Sequence, residues 1–66
     1  MKIVLNGDAH EVPPASTLAR ALDELGFGAA VVATALNGEF VASAARRETQ
    51  LSEGDRIEVL APMQGG

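Results

Sequence analysis

The residues whose type and position best suit covalent chemistry are the last two, Gly65 and Gly66, reached through Ala61-Pro62-Met63-Gln64. Two residues without a Cβ let a backbone pass through a narrow channel, and six residues, fully extended, reach roughly 20 Å, far enough to enter another protein's active site. Steric access is not reactivity. A backbone carboxylate, with a pKa of about 3.5, is ionised at neutral pH and is a poor electrophile. It needs activation, for instance as a mixed anhydride with AMP. No GxxxxGK phosphate loop is present, so a partner is expected to handle the nucleotide. A terminal Gly-Gly by itself also fits a frayed end or a truncation scar.

The remaining reactive groups point away from ordinary enzymology. The chain has no Cys, no HExxH and no CxxC, and its one imidazole, His10, sits mid-strand beside Glu11 without a recognisable partner. His10 therefore reads as a half-exposed strand residue. Asp23-Glu24 and the group Glu53, Asp55 and Glu58 read as solvated faces rather than an acid/base pair. Arg46-Arg47 suits either a small docking site for an acidic patch or simple exposure. The expectation is a carrier or co-substrate rather than a catalyst, with no metal and no bound cofactor.

Composition narrows the partners. Sixty-six residues make one domain, which buries only about 60% of the surface its unfolded chain exposes. With no Cys and a single His, neither disulfides nor a zinc site can reinforce it, so Leu, Val and Ile must supply the core. A net charge of −4 repels a phosphate backbone, which argues against nucleic acid and would suit a basic protein surface. The start, MKIVLNGD, has no signal-type apolar region, and no stretch approaches the ~20 apolar residues of a membrane span. A cytoplasmic protein without membrane contact is expected.

The elements that must carry the diglycine follow from periodicity. Residues 1–5 form an apolar, β-rich run ending at Asn6-Gly7, a strong hairpin signal, and residues 9–12 return as a second strand. Pro13-Pro14 ends pairing, and Ser16 or Thr17 can cap a helix. In that helix Leu18, Ala21, Leu22 and Leu25 form one apolar stripe, and Gly26 occupies the position of a left-handed cap. Residues 29–36 read as a third strand, turning at Asn37-Gly38 into a fourth at residues 39–41. The echo of LNGD and LNGE reflects two hairpins with the same turn chemistry. Residues 43–50 suit a short helical turn or a loop, and residues 56–60 alternate as a last strand.

The order β-β-α-β-β-β buries its single helical stripe most compactly across one face of a mixed sheet, an α+β fold of the ubiquitin-like β-grasp type. The first and last strands are then central, parallel neighbours with a hairpin on each flank. Residues 1–60 would form the domain and residues 61–66 a flexible tail. If Ile3, Leu5, Ile57 and Val59 face the helix, Val4 and Leu60 lie on the open face, where with Phe40 they would serve a docking partner. The strand order, the run from last strand into tail, and the stop after Gly-Gly together favour a working terminus.

Along its whole length the sequence resembles the ThiS family, the sulfur carriers of thiamin (thiazole) biosynthesis. The resemblance rests on Ala35-Leu36-Asn37-Gly38-Glu39-Phe40-Val41, on Leu51-Ser52-Glu53-Gly54-Asp55-Arg56-Ile57-Glu58-Val59, and most specifically on Pro62-Met63-Gln64-Gly65-Gly66. It implies that a ThiF-like adenylyltransferase uses ATP to convert the Gly66 carboxylate to an acyl-adenylate. Sulfur from cysteine, passed through a cysteine desulfurase, then displaces AMP to leave a thiocarboxylate. It further implies that a ThiG-like thiazole synthase takes that sulfur, and that Gly65, Gln64 and Met63 thread the terminus into its partners. Many relatives carry a Pro and an acidic-aromatic pair where this chain has Ala42-Ser43-Ala44-Ala45-Arg46. The small subunit of molybdopterin synthase, a protein-conjugating modifier and a plain β-grasp binding module remain as alternatives.

Overall fold

The computed structural model describes residues 1–27, 31 and 33–60. Both Asn-Gly pairs form the turn their chemistry favours. Asn6 and Gly7 have φ of 50° and 87°, and Asn37 and Gly38 repeat those values, the doubly positive pattern of a type I′ turn. The first joins β1 (Lys2–Leu5) to β2 (Asp8–Glu11), and the second joins β3 (Ala33–Leu36) to β4 (Glu39–Val41).

Between the hairpins lies α1 (Leu18–Glu24). Thr17 is its N-cap, with Oγ1 accepting from the Arg20 N–H at 3.2 Å, and Gly26 follows with φ +87°. Its buried Leu18, Ala21 and Leu22 lie against Ile3, Leu5 and Ile57 of the sheet, with Val12 and Leu51 closing the edges of the core. Burying each such Leu or Ile contributes about 1.5–3 kcal/mol, which in so small a domain makes this layer the main stabilising feature.

The last strand, β5 (Arg56–Leu60), is the middle of the sheet, whose order is β2-β1-β5-β3-β4. It runs parallel to β1, pairing Val4 with Arg56 and Leu5 with Ile57, and antiparallel to β3 from Leu36↔Ile57 to Ala33↔Leu60. The expected order and the parallel pairing of first and last strands are both present. The second strand begins and ends one residue earlier than its apolar pattern indicated. Val12 lies just past it, donating its N–H to the Met1 carbonyl at 2.9 Å while its side chain enters the core. Of the expected third strand at 29–36, Ala33–Leu36 is strand and Val31 is not; residues 29, 30 and 32 lie outside the described residues.

The 43–50 segment resolves its two readings as a 3-10 helix, Ser43–Glu48, held at its end by Thr49 Oγ1 donating to the Ala45 carbonyl at 2.7 Å. Its Arg46 is half-buried, and Nε donates to Thr34 Oγ1 at 3.1 Å. Thr34 in turn donates to the Val41 carbonyl at 2.8 Å. Arg46 therefore ties this helix to the sheet, whereas Arg47 is exposed.

Candidate functional site

Gly66, Gly65, Gln64 and Met63 lie outside the described residues, which end at Leu60, six positions before Gly66. What the structure defines is the part of the domain that precedes them in the chain: the C-terminal end of β5 and the open face of the sheet. Register assigns that face. Side chains paired across the ladders share a side, so Val4, Arg56, Glu58, Leu60, Ala35 and Phe40 lie opposite the helix layer.

Val4, Leu60 and Phe40 thus share a face but not a patch. Leu60 and Phe40 are 63% and 73% exposed and flank a shallow groove floored by Ala33 and Ala35. Small residues at those two positions leave the hollow that larger strand residues would fill. Val4 is half-buried and neighbours Arg56, about 13 Å along β5 from Leu60. Along β5, Glu58 lies between Arg56, the partner of Val4, and Leu60, and it lines the groove. A sequence pattern reports which face a residue occupies, but its distance along that face depends on how β1 and β5 are staggered.

The end of β5 is held in a way that periodicity does not reveal. β1 pairs with it only as far as Leu5↔Ile57, and the Asn6 N–H donates to the Ile57 carbonyl at 2.9 Å. Beyond that point β1 has turned away, and the Asn6 carboxamide takes over the ladder. Its Oδ1 accepts from the Val59 N–H at 2.8 Å, and its Nδ2 donates to the Val59 carbonyl at 3.2 Å. Asn37 does the corresponding work where β5 begins. Its Oδ1 accepts from the Arg56 N–H at 3.0 Å, and its Nδ2 donates to Asp55 Oδ1 at 3.1 Å. The LNG echo was the signal for these two residues, and only the fold shows that both turns close on one strand.

The other candidates take modest places. His10 is half-buried on the edge strand, opposite Ile3. Asp23, Glu24, Glu53 and Glu58 are exposed, and Asp55 serves the turn before β5, its Oδ2 accepting from the Ser52 N–H at 2.7 Å. Among the described residues, no three His, Asp or Glu side chains cluster as a metal site, and no helix is long and apolar enough to cross a membrane.

Among the described residues, a five-stranded mixed sheet with one α-helix across a single face and its last strand in the centre defines a ubiquitin-like β-grasp protein. The ThiS family model matches residues 3–66, and the chain belongs to that family, the small sulfur carriers of thiamine biosynthesis. A crystal structure of the thiamine biosynthesis protein ThiS from Geobacter metallireducens is similar, at 30% identity and a TM-score of 0.79, with the whole of both chains covered. A solution NMR structure of a thiamine biosynthesis protein from that organism gives 32% and 0.75, covering all of this chain and 88% of the other. A thiazole synthase from Paramagnetospirillum magneticum is 32% identical over 66 residues, all of this chain, which spans 20% of that protein's length.

Proposed function

We propose that the chain carries sulfur as a thiocarboxylate on Gly66 and delivers it for thiazole formation in thiamine biosynthesis. The observation that carries this reading is the family match, which spans residues 3–66 and so takes in the diglycine. A ThiF-like adenylyltransferase supplies the activation that no group on this chain can: the Gly66 carboxylate attacks the α-phosphate of ATP, forming an acyl-adenylate and releasing pyrophosphate. Persulfide sulfur from a cysteine desulfurase is first reduced to sulfide by a pair of thiols outside this chain, which end as a disulfide; the sulfide then attacks the acyl carbon, and AMP leaves. The product is Gly66–COS⁻.

The domain's part is to present that terminus. With β5 in the middle of the sheet, the tail starts from the most constrained strand, and six extended residues span roughly 20 Å beyond it. The groove between Phe40 and Leu60 lies beside the starting point and offers an apolar contact to the enzyme that receives the tail. Similarity to a stretch of a protein named thiazole synthase supports a ThiG-like enzyme as the acceptor. ATP is then the partner's substrate, and the chain itself holds no cofactor.

The test is intact-mass analysis after thiol alkylation, on protein incubated with ATP, a ThiF-like enzyme and sulfide. Because the chain has no Cys, an alkylated product reports a thiocarboxylate, and a methionine sulfoxide of similar mass does not alkylate under mild conditions. One ATP-dependent adduct, located on Gly66 by fragmentation, is expected. Its absence, or its persistence after Gly66 is deleted, would return the chain to the class of β-grasp binding modules.

A further inference from the structure

We propose that Asn6 is a positioning residue for the transfer reaction: its carboxamide fixes the end of β5 and so sets where, and in which direction, the tail begins. The inference rests on the reading of Gly66 as the working group. Val59 is two residues before the tail, and on the β1 side its N–H and carbonyl have the Asn6 side chain as their partner, at 2.8 and 3.2 Å. A ladder built from backbone would persist through most substitutions. This one depends on a single side chain.

Without that side chain, β5 keeps its β3 partner through Ala33↔Leu60 but loses its hold on the other side two residues before the tail. The strand end then samples more directions, and docking has to fix it again. Refixing about one residue's backbone lowers productive association about tenfold. The cost falls on forming the complex, not on chemistry at the carboxylate, so it enters KM rather than kcat.

Asn37 provides the matched control. It has the same φ and the same place in an LNG turn, and its carboxamide also accepts from a β5 N–H, that of Arg56, while its Nδ2 donates to the Asp55 carboxylate in the turn before the strand, the end remote from the tail. A role in folding alone would make the two residues equivalent; a role in positioning separates them.

The experiment compares Asn6→Gly and Asn37→Gly, since Gly accepts the positive φ of a type I′ turn and only the side chain is lost. Thiocarboxylate formation is followed with a ThiF-like enzyme, ATP and sulfide, varying the carrier. Asn6→Gly should raise KM for the carrier about tenfold with kcat within about twofold, while Asn37→Gly leaves both within about twofold. Amide exchange should quicken at Val59 in the first variant and at Arg56 in the second. Asn6→Asp, which keeps the acceptor for the Val59 N–H but sets a carboxylate against its carbonyl, should also raise KM. Equal KM values for the two glycine variants would overturn the proposal. A wild-type chain that forms no adduct would instead remove the sulfur-carrier reading, and the positioning role with it.

Discussion

Individual residues carry two of the less obvious features of this domain. Thr34 is 2% exposed and uses its hydroxyl twice, donating to Val41 and accepting from Arg46. Thr34→Val keeps the shape and strand propensity but strands both partners. Since Arg46 keeps some access to water, a loss of about 1–2 kcal/mol is expected in urea unfolding. Ala15 has φ of 63°, a left-handed conformation that costs an alanine about 1–2 kcal/mol. Ala15→Gly removes that strain while adding about 0.4–1 kcal/mol of unfolded-chain entropy. Relief of strain outweighs the added entropy, so the variant should be more stable by about 0.5 kcal/mol, read as a raised denaturation midpoint. Neither feature has a sequence signature, because each arises where segments distant in sequence or bent by a turn are brought together.

At the scale of the element, β5 is held by two turns that share a sequence and a conformation. That dependence makes turn geometry important to a strand the turns do not belong to. A Cβ built on Gly38 meets nothing within 4 Å, so Gly38→Ala adds no clash and tests only the φ of +87°. A loss of about 1–2 kcal/mol is expected in thermal or urea unfolding, with faster amide exchange at Arg56 as Asn37 loses its aim. The helix depends on its surroundings in another way: seven residues are too few to be stable alone, and α1 persists because Leu18, Ala21 and Leu22 have a sheet to cover.

For the whole molecule, the division of labour between faces decides what a partner can touch. One side of the sheet is committed to the helix; the other leaves Phe40 and Leu60 exposed beside the end of β5. Leu60→Glu should leave unfolding within about 0.5 kcal/mol of wild type, since an exposed side chain is exchanged. The same change should raise KM for the carrier with a ThiF-like enzyme by about tenfold, as a charge enters an apolar contact. Val4→Glu, beside Arg56 at the start of β5, should have the smaller effect on KM. Equal effects would mean that the partner covers the sheet from end to end.

Much of this architecture is legible in the sequence because its causes are local. Asn-Gly sets two type I′ turns through positive φ, Thr17 and Gly26 bound a helix whose stripe repeats every three to four residues, and Arg56–Leu60 alternates as a half-buried strand must. The element order then leaves few compact ways to cover one helical stripe. Tertiary structure decided the rest, because it concerns distances between segments far apart in the chain. It set the register of β1 on β5, which separates Val4 from Leu60; the descent of the 3-10 helix onto Thr34; and the convergence of Asn6 and Asn37 on one strand. A side chain's identity states what it can bond to, and only the fold determines which backbone lies within 3 Å of it.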